Sequence, residues 1–552
     1  MVISVNLGLI WILLWIYDSF VNGLDFDRLP ELHKRDQSDF SGNSTVRIKG
    51  ISIGGWLTTE PYITPSLYDT AFNIVSETTG GNATNIVDEY TLSQALGYDR
   101  ARDLLAEHFN TWITEDDFRQ ISEDGFNLVR IPIGYWAWKT DSASNTYLGS
   151  ITFEDPYVSD GLQLRYLDNA LGWAAKYGLD VWIDLHGAPD TQNGFDNSGQ
   201  RDLFNELNWL KSETSRDLTM AIWESIFETY LSRNVTNSVV GIEIMNEPLS
   251  PRLDEYSMKE YYYKAFELYK QGNINSDNTT FVIHDAFKEI GHWNLYLNPD
   301  YNNVTAQYAN FSNITFQASS ILVDHHHYEV FTEFQLHNNQ SSRITDIMNY
   351  AESVSSELSF HPALIGEFSA ALTDCALWIN GVGIGARYDG SYYRTTNFTT
   401  DYDPVGQCQS QLPVSNWTDE FKDHVRQFVE VQLATYTEKS NGWIFWNWKT
   451  ENATEWDYLR LKENGLFPTP LDNYTYFQSD GQMQNFFSSS LFPRPSTSSS
   501  ATSTTSSTQK SNGASSLHQI FNLSTNPEKM SFAWKFSTLV TVICVFTFIN
   551  IM

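Results

Sequence analysis

The sequence predicts an α/β chain built as a single (β/α)8 barrel, followed by a Ser/Thr-rich C-terminal stalk without a fold of its own. Three observations predict it. Eight short apolar runs suit buried parallel strands, helix-length amphipathic stretches lie between them, and nearly every run ends in a polar side chain. In order the runs are Arg47–Leu57, Phe126–Trp136, Leu179–Gly187, Val239–Pro248, Thr280–Phe287, Ile321–Tyr328, Pro362–Ser369 and Gly442–Lys449. Between them Arg165–Tyr177, Thr214–Leu231 and Glu255–Lys270 carry helical periodicity. The same alternation would also build an open doubly wound sheet. No glycine-rich phosphate loop follows an early run, which counts against that arrangement.

The run exits offer Glu60, Arg130, His186, Asn246-Glu247, His284-Asp285, His326 with Tyr328, Glu367, and Trp446. In such a barrel all eight C-terminal ends converge on one face. Glu247 and Glu367 each close a short apolar run, where a buried parallel strand delivers its chemistry. Two such carboxylates are the equipment for cleaving a glycosidic bond: one protonates the leaving oxygen and the other attacks the sugar. Glu243, two residues before Met245, reads as a strand residue pointing inward at a lower level.

Composition narrows the partners. The formal charge of −33 argues against polyphosphate and nucleic acid. Aromatic residues make up 15% of the chain, and their planes suit sugar faces as well as cores. His325-His326-His327 invites a metal reading, but strand alternation sends neighbours to opposite faces, so the three cannot converge on one ion. Neither a metal nor a cofactor is expected.

Both ends read as processing signals. Residues 1–23 carry an apolar core with a small-residue exit, the pattern of a secretory signal peptide. Residues 24–35 form a propeptide-like segment ending in the dibasic pair Lys34-Arg35. The barrel is assigned to residues 36–492. Residues 493–530 are the stalk with an anchor-attachment region, for which Asn512 and Ser524 are the candidates. Residues 531–552 are an apolar tail of the kind removed on addition of a GPI lipid. Thirteen Asn-x-Ser/Thr sequons support passage through the secretory lumen: Asn43, Asn82, Asn234, Asn278, Asn303, Asn310, Asn313, Asn339, Asn397, Asn416, Asn452, Asn473 and Asn522. Of three cysteines, Cys544 lies in the tail, which leaves Cys375 and Cys408 to form one disulfide. Closing that loop stabilises by roughly 3–4 kcal/mol on the chain-entropy account. The expected location is the outer face of the plasma membrane or the cell wall, as a monomer.

Eight ordered motifs carry a resemblance. They are Gly54-Gly-Trp-Leu-Thr-Thr-Glu-Pro-Tyr-Ile-Thr-Pro-Ser-Leu67, Val129-Arg-Ile-Pro-Ile-Gly-Tyr-Trp136, Asp184-Leu-His-Gly-Ala-Pro189, Gln192-Asn-Gly-Phe-Asp-Asn-Ser-Gly199, Met245-Asn-Glu-Pro248, Asp324-His-His-His-Tyr328, Thr373-Asp-Cys-Ala376 and Phe445-Trp-Asn-Trp-Lys-Thr-Glu-Asn452. In these the chain resembles the yeast exo-β-1,3-glucanases of glycoside hydrolase family 5, most of all their GPI-anchored branch. The resemblance implies a retaining enzyme on β-1,3-glucan, with Glu247 as acid/base and Glu367 as nucleophile about 5–5.5 Å apart. It implies that Asn246 holds the sugar 2-hydroxyl, that Arg130 and Tyr328 hold Glu367, and that His186 and His326 meet sugar hydroxyls. Trp446 becomes the floor under the reacting sugar, and Phe195 and Phe331 a pair at the entrance. Glu60 and Tyr62 bind the terminal sugar and close the far end. Asp190-Thr191 stands where the family usually has Gly-Ser, and Glu329 where Gln is usual.

Three rival readings follow from the same residues. A transglycosylase would use both glutamates with a sugar hydroxyl in place of water. An endo-acting or β-1,6-specific enzyme would keep the chemistry and change the loops. A non-catalytic wall glycoprotein would need a lost catalytic residue, and none is missing.

Overall fold

The computed structural model describes residues 47–79, 86–203, 205–231, 238–272, 279–294, 321–411 and 413–492. The signal segment, residues 24–35, the stalk with Asn512 and Ser524, and the tail lie outside the described residues. So do the sequons Asn43, Asn82, Asn234, Asn278, Asn303, Asn310, Asn313 and Asn522.

Eight parallel strands close into a barrel in sequence order: β1 Ile48–Ser52, β2 Leu128–Gly134, β3 Asp180–Gly187, β4 Val239–Glu243, β5 Thr280–His284, β6 Ile321–His326, β7 Ala363–Glu367 and β8 Gly442–Phe445. β8 returns to pair with β1, from Ile48 opposite Gly442 to Ile51 opposite Phe445. Each predicted run contains one strand, and every strand but β3, which ends at Gly187 as predicted, stops short of the predicted C-terminal boundary. The apolar pattern continues, but the backbone has left the ladder to reach the site. The helices that matter below are α1 Pro65–Thr79, α2 Glu89–Leu96, α3 Leu162–Tyr177, α4 Glu213–Tyr230, α5 Glu255–Gly272, α6 Gln340–Glu357 and α7 Asp419–Lys439. Three of them match the helical stretches read from the sequence within two residues at either end, save α3, which begins three residues earlier.

The strands are apolar on both faces because both faces are covered. Inside, Ile48, Leu128, Trp182, Val240, Val282, Leu322, Leu364 and Ile444 form one buried cluster with a single residue from each strand. Each such side chain contributes roughly 1.5–3 kcal/mol on burial. Gly241 makes room for this layer, since a Cβ there would stand 2.1 Å from the Trp182 indole nitrogen. On β6 the alternation is plain: Leu322 belongs to the inner cluster, whereas Ile321 and Val323 belong to the larger core under the helices. Cys375 and Cys408 are joined as a disulfide in the region after β7. No helix among the described residues is long and apolar enough to cross a membrane.

Candidate active site

Above the apolar layer the inner faces turn polar. Two-residue alternation stacks Asp184 and His186 over Trp182 on β3, and Asp324 and His326 over Leu322 on β6. On β7 Gly366 leaves space for Asp324, whose carboxylate would meet an added Cβ at 2.0 Å. The register shifts between Ile365 and Glu367, which turns Glu367 toward the same interior. Glu247 lies four residues beyond β4 with φ +46°, a left-handed conformation that costs a glutamate of the order of 1 kcal/mol or more. Its carboxylate is held in place from two sides.

Fully buried Arg130 on β2 connects three other strands. Its Nε donates to Glu243 at 2.8 Å, one terminal nitrogen to Glu367 Oε1 at 2.6 Å, and the other to Asn246 Oδ1 at 2.9 Å, with Asp184 3.1 Å away. Tyr328 donates its hydroxyl to Glu367 Oε2 at 2.8 Å. His326 Nδ1 is 2.9 Å from Glu247 Oε1 and 3.4 Å from Glu367 Oε2, and Asn197 donates to Glu247 Oε2 at 3.0 Å. His186 bonds Asp184 through Nδ1 at 2.6 Å and lies parallel to Trp446, with ring centres 5.7 Å apart. The Trp446 indole N–H donates to the Tyr62 hydroxyl. Among the polar atoms of this cluster buried without a protein hydrogen-bond partner are Glu60 Oε1, His186 Nε2 and Asn246 Nδ2.

Phe331 is exposed at the mouth, packing edge-on against Tyr328 at 5.7 Å and tilted over Trp456 at 6.1 Å. Phe195 stands half-buried in the loop after β3. In that loop Asp190 and Thr191 are consecutive left-handed residues with φ of +65° and +56°, where a glycine would sit without strain. The Thr191 hydroxyl is 2.7 Å from that of Ser198. Glu329 is buried and pairs with His327 at 3.2 Å.

The proton balance differs from a simple pair of glutamates. Burial works against a charge on His326, but Glu367, Asp324 and Glu247 around it outweigh burial and lift it well above the usual range. Burial also opposes ionisation of Glu247, yet the hydrogen bond and charge of His326 hold it at about 2. Burial lifts Glu367 above its ordinary value against the pull of His326 and Arg130. With His326 lifted and Glu247 lowered, the balance favours the proton on the imidazole, which lies between both carboxylates.

Glu247, His284 and His326 bring ligand-type atoms within 4.8 Å of one another. Nδ1 of His284 accepts the Ala286 N–H at 2.9 Å, which leaves its ring proton on Nε2. A cation there would require an imidazolate, so this trio is a poor metal site.

Every candidate at the strand exits is buried on this one face, apart from the two entrance phenyl rings and the half-buried Tyr328 and His326. Sequence reasoning missed Asp184, Asp324, Asp196 and Asn197, and gave Glu243 no partner. Asp184 and Asp324 were findable, since each stands two residues before a histidine already singled out. Asn197 had no signal, because its role depends on a loop folding back over Glu247.

The family model described as cellulase, glycosyl hydrolase family 5, matches residues 93–378. The chain is 56% identical over 513 residues to glucan 1,3-beta-glucosidase 2 of Saccharomyces cerevisiae, covering 92% of this chain and 91% of that one. It is 42% identical to the glucan 1,3-beta-glucosidase of Kluyveromyces lactis, over 77% of this chain and 90% of that one. The crystal structure of rutinosidase from Aspergillus niger superposes with a TM-score of 0.54 at 17% identity, over 76% of this chain and 98% of that one, a likeness of fold. With the closed barrel and its cluster of glutamates, these similarities establish that the chain is a glycoside hydrolase and belongs to glycoside hydrolase family 5.

Proposed function

We propose that this enzyme is a retaining exo-β-1,3-glucanase that releases glucose from the non-reducing end of cell-wall β-glucan. The observation that carries the reading is His326 Nδ1 within 3.4 Å of both Glu247 and Glu367. A shared neighbour at these distances keeps the nearest carboxylate oxygens closer than the roughly 6.5–9.5 Å used by inverting enzymes. The names of the relatives, both glucan 1,3-beta-glucosidases, support the linkage.

In the first step Glu367 attacks the anomeric carbon while Arg130 and Tyr328 hold its two oxygens. The glycosidic C–O bond breaks, and Glu247 gives the leaving oxygen a proton supplied through its hydrogen bond to His326. In the second step Glu247 takes a proton from water and passes it back to His326, while the water oxygen displaces Glu367, so that both carboxylates and the charged imidazole are restored. Asn246 Nδ2, His186 Nε2 and Glu60 Oε1 supply unpaired polar atoms for sugar hydroxyls. Trp446 supplies the floor.

The test is product analysis on laminarin for the wild type and Glu367→Gln. Glucose alone, released with β-anomeric retention and lost in the variant, supports the reading. Oligosaccharides from the start, or cleavage of β-1,6-glucan only, would move the function to endo action or another linkage. Laminari-oligosaccharides longer than the substrate would point to transglycosylation, which the aromatic mouth of Tyr328, Phe331 and Trp456 favours by holding an acceptor sugar.

We also propose that the enzyme is secreted and held on the cell exterior by a GPI lipid. The five described sequons, Asn339, Asn397, Asn416, Asn452 and Asn473, are all exposed, as glycans require, and the Cys375–Cys408 bridge suits an oxidising compartment. Release from intact cells by a phosphatidylinositol-specific phospholipase is expected; retention after treatment would contradict the anchor.

A further inference from the structure

Glu89 is the first residue of α2, is completely buried, and lies outside the set of strand-exit residues. Its Oε2 accepts the Thr59 backbone N–H at 2.8 Å and the Thr59 hydroxyl at 3.1 Å. Its Oε1 accepts the Trp136 indole N–H at 2.7 Å. Thr59 directly precedes Glu60, and the Thr59 hydroxyl is fixed a second time by Tyr68, 2.8 Å away on α1.

Trp136 is the other half of the device. Its ring stacks on Tyr157 with centres 4.1 Å apart. An added Cβ at Gly134, Gly187 or Gly199 would come within 2.3, 2.7 or 2.2 Å of it. The indole therefore lies flat against the backbone beside His186 and against the end of the loop bearing Phe195, Asp196 and Asn197. The neighbours of Glu89 hold the same loop directly: Asp88 accepts the Arg201 N–H at 2.6 Å, and the Tyr90 N–H donates to the Gly199 carbonyl at 2.9 Å. One buried carboxylate thus joins Thr59, next to Glu60, to Trp136, which packs against Gly199 at the end of the Phe195 loop.

We propose that Glu89 is a positioning residue that sets the closed, single-sugar end of the cleft, clasping the loop of Glu60 and Tyr62 to the loop of Phe195, Asp196 and Asn197. Its three acceptor contacts come from groups that only donate toward it, so no neutral side chain of the same size reproduces them. An amide at this position aims N–H at either the Thr59 N–H or the Trp136 indole. This inference rests on the reading of the enzyme as exo-acting.

The experiment compares the full-length wild type, Glu89→Gln and Trp136→Phe by product analysis on laminarin and by steady-state kinetics on laminaritriose. The wild type is expected to release glucose alone. Glu89→Gln is expected to raise KM roughly tenfold, the effect of leaving one buried N–H donor unpaired, with kcat within about threefold and with laminaribiose among the first products. Trp136→Phe, which keeps a benzene ring beside Tyr157 but removes the five-membered ring with its N–H, is expected to change KM and products in the same direction. If Glu89→Gln does not fold, Trp136→Phe decides the matter alone. Glucose alone at unchanged KM in the folded variants overturns the proposal, as does a lower melting temperature with no change in KM or products. Oligosaccharides from the wild type would overturn the exo reading itself, and with it this role for Glu89.

Discussion

Two adjacent histidines on β6 face opposite sides of the barrel wall and meet nearly the same chemistry. His326, inside, lies between Glu247 and Glu367 with Asp324 beneath. His325, outside, bonds Asp285 through Nδ1 at 2.8 Å and Glu357 at the end of α6 through Nε2 at 2.7 Å. In both places carboxylates outweigh burial and lift the imidazole; for His325 the value is pushed up to about 10. The difference lies in what else can reach the proton. Both nitrogens of buried His325 have a fixed partner, so its charge serves to tie β5, β6 and α6 together. His326 has one nitrogen at the reacting carboxylates and opens onto the cleft, so its proton is available to chemistry. A charged histidine between two acids is a clasp when closed and a proton reservoir when open.

The largest expected effect removes the acceptor side of the inner cluster. Glu367→Gln should lower kcat on laminarin by roughly 10⁴-fold or more, with folding intact, because no other group can form the covalent intermediate. Wild-type-like turnover would end the comparison, since the inner cluster would then be structural as well.

His326→Gln is expected to lower kcat/KM by roughly 10²–10³-fold, in the range of general acid–base contributions. The pH profile separates this from simple damage. In the wild type the lifted His326 keeps a proton beside Glu247 to high pH, whereas without the imidazole that proton sits on Glu247 and leaves nearer the ordinary carboxylate range. The basic limb should therefore move to lower pH. A uniform loss with unmoved limbs would show that His326 serves only to position.

The outer histidine should give the reverse pattern. Breaking one partner of a buried ion pair costs about 3–5 kcal/mol, so His325→Gln should lower stability by that order while the folded fraction keeps near-normal kcat at low temperature. The pH dependence follows from the lifted value. The stabilising contribution of His325 is complete below its unfolded value of about 6.5. It is lost as pH rises toward about 10. Wild-type melting temperature should fall across that window, and the variant should lack this part of the slope.

The same contrast explains how much of the molecule was legible beforehand. Eight apolar runs announced the barrel because a doubly covered strand must be apolar on both faces, and the exits announced Glu247 and Glu367 because polar residues there have one face to serve. The histidine triple could be sorted by alternation into one inward ring and its outward neighbour, but their partners could not. Asp285 and Glu357 come from β5's exit and the end of α6, and their meeting at His325 depends on helix packing. Arg130 was legible as a partner of Glu367, whereas its bonds to Glu243 and Asn246 depend on the stagger of neighbouring strands. Glu89 was silent for the same reason, since its contacts lie 30 and 47 residues away.

Glu455 sharpens the comparison from the other side, as a buried acid without a histidine. Its Oε1 accepts the Leu372 and Thr373 N–H groups at 2.7 and 3.1 Å, and its Oε2 meets the Thr373 hydroxyl at 2.6 Å, securing the loop after β7. Burial outweighs these donors and lifts it to about 7, whereas burial at Asp285 is outweighed by His284 and His325, and at Glu357 by His325, and both fall below their ordinary values. A raised acid stabilises the fold below its unfolded value of about 4.3, and that contribution is lost as pH rises through about 7. Below pH 6 the group is mostly a neutral acid, with one oxygen accepting two N–H groups and an O–H facing the Thr373 hydroxyl. Glutamine can copy that arrangement, its carbonyl accepting and its amide donating to the same hydroxyl. Glu455→Gln should therefore change stability by less than about 1 kcal/mol at pH 5. Between pH 5 and 8 it should lose less stability than the wild type, as measured by urea unfolding at each pH. A variant as pH-dependent as the wild type would mean that Glu455 is already ionised at pH 5, held by its backbone donors as firmly as Asp285 and Glu357 are held by His325.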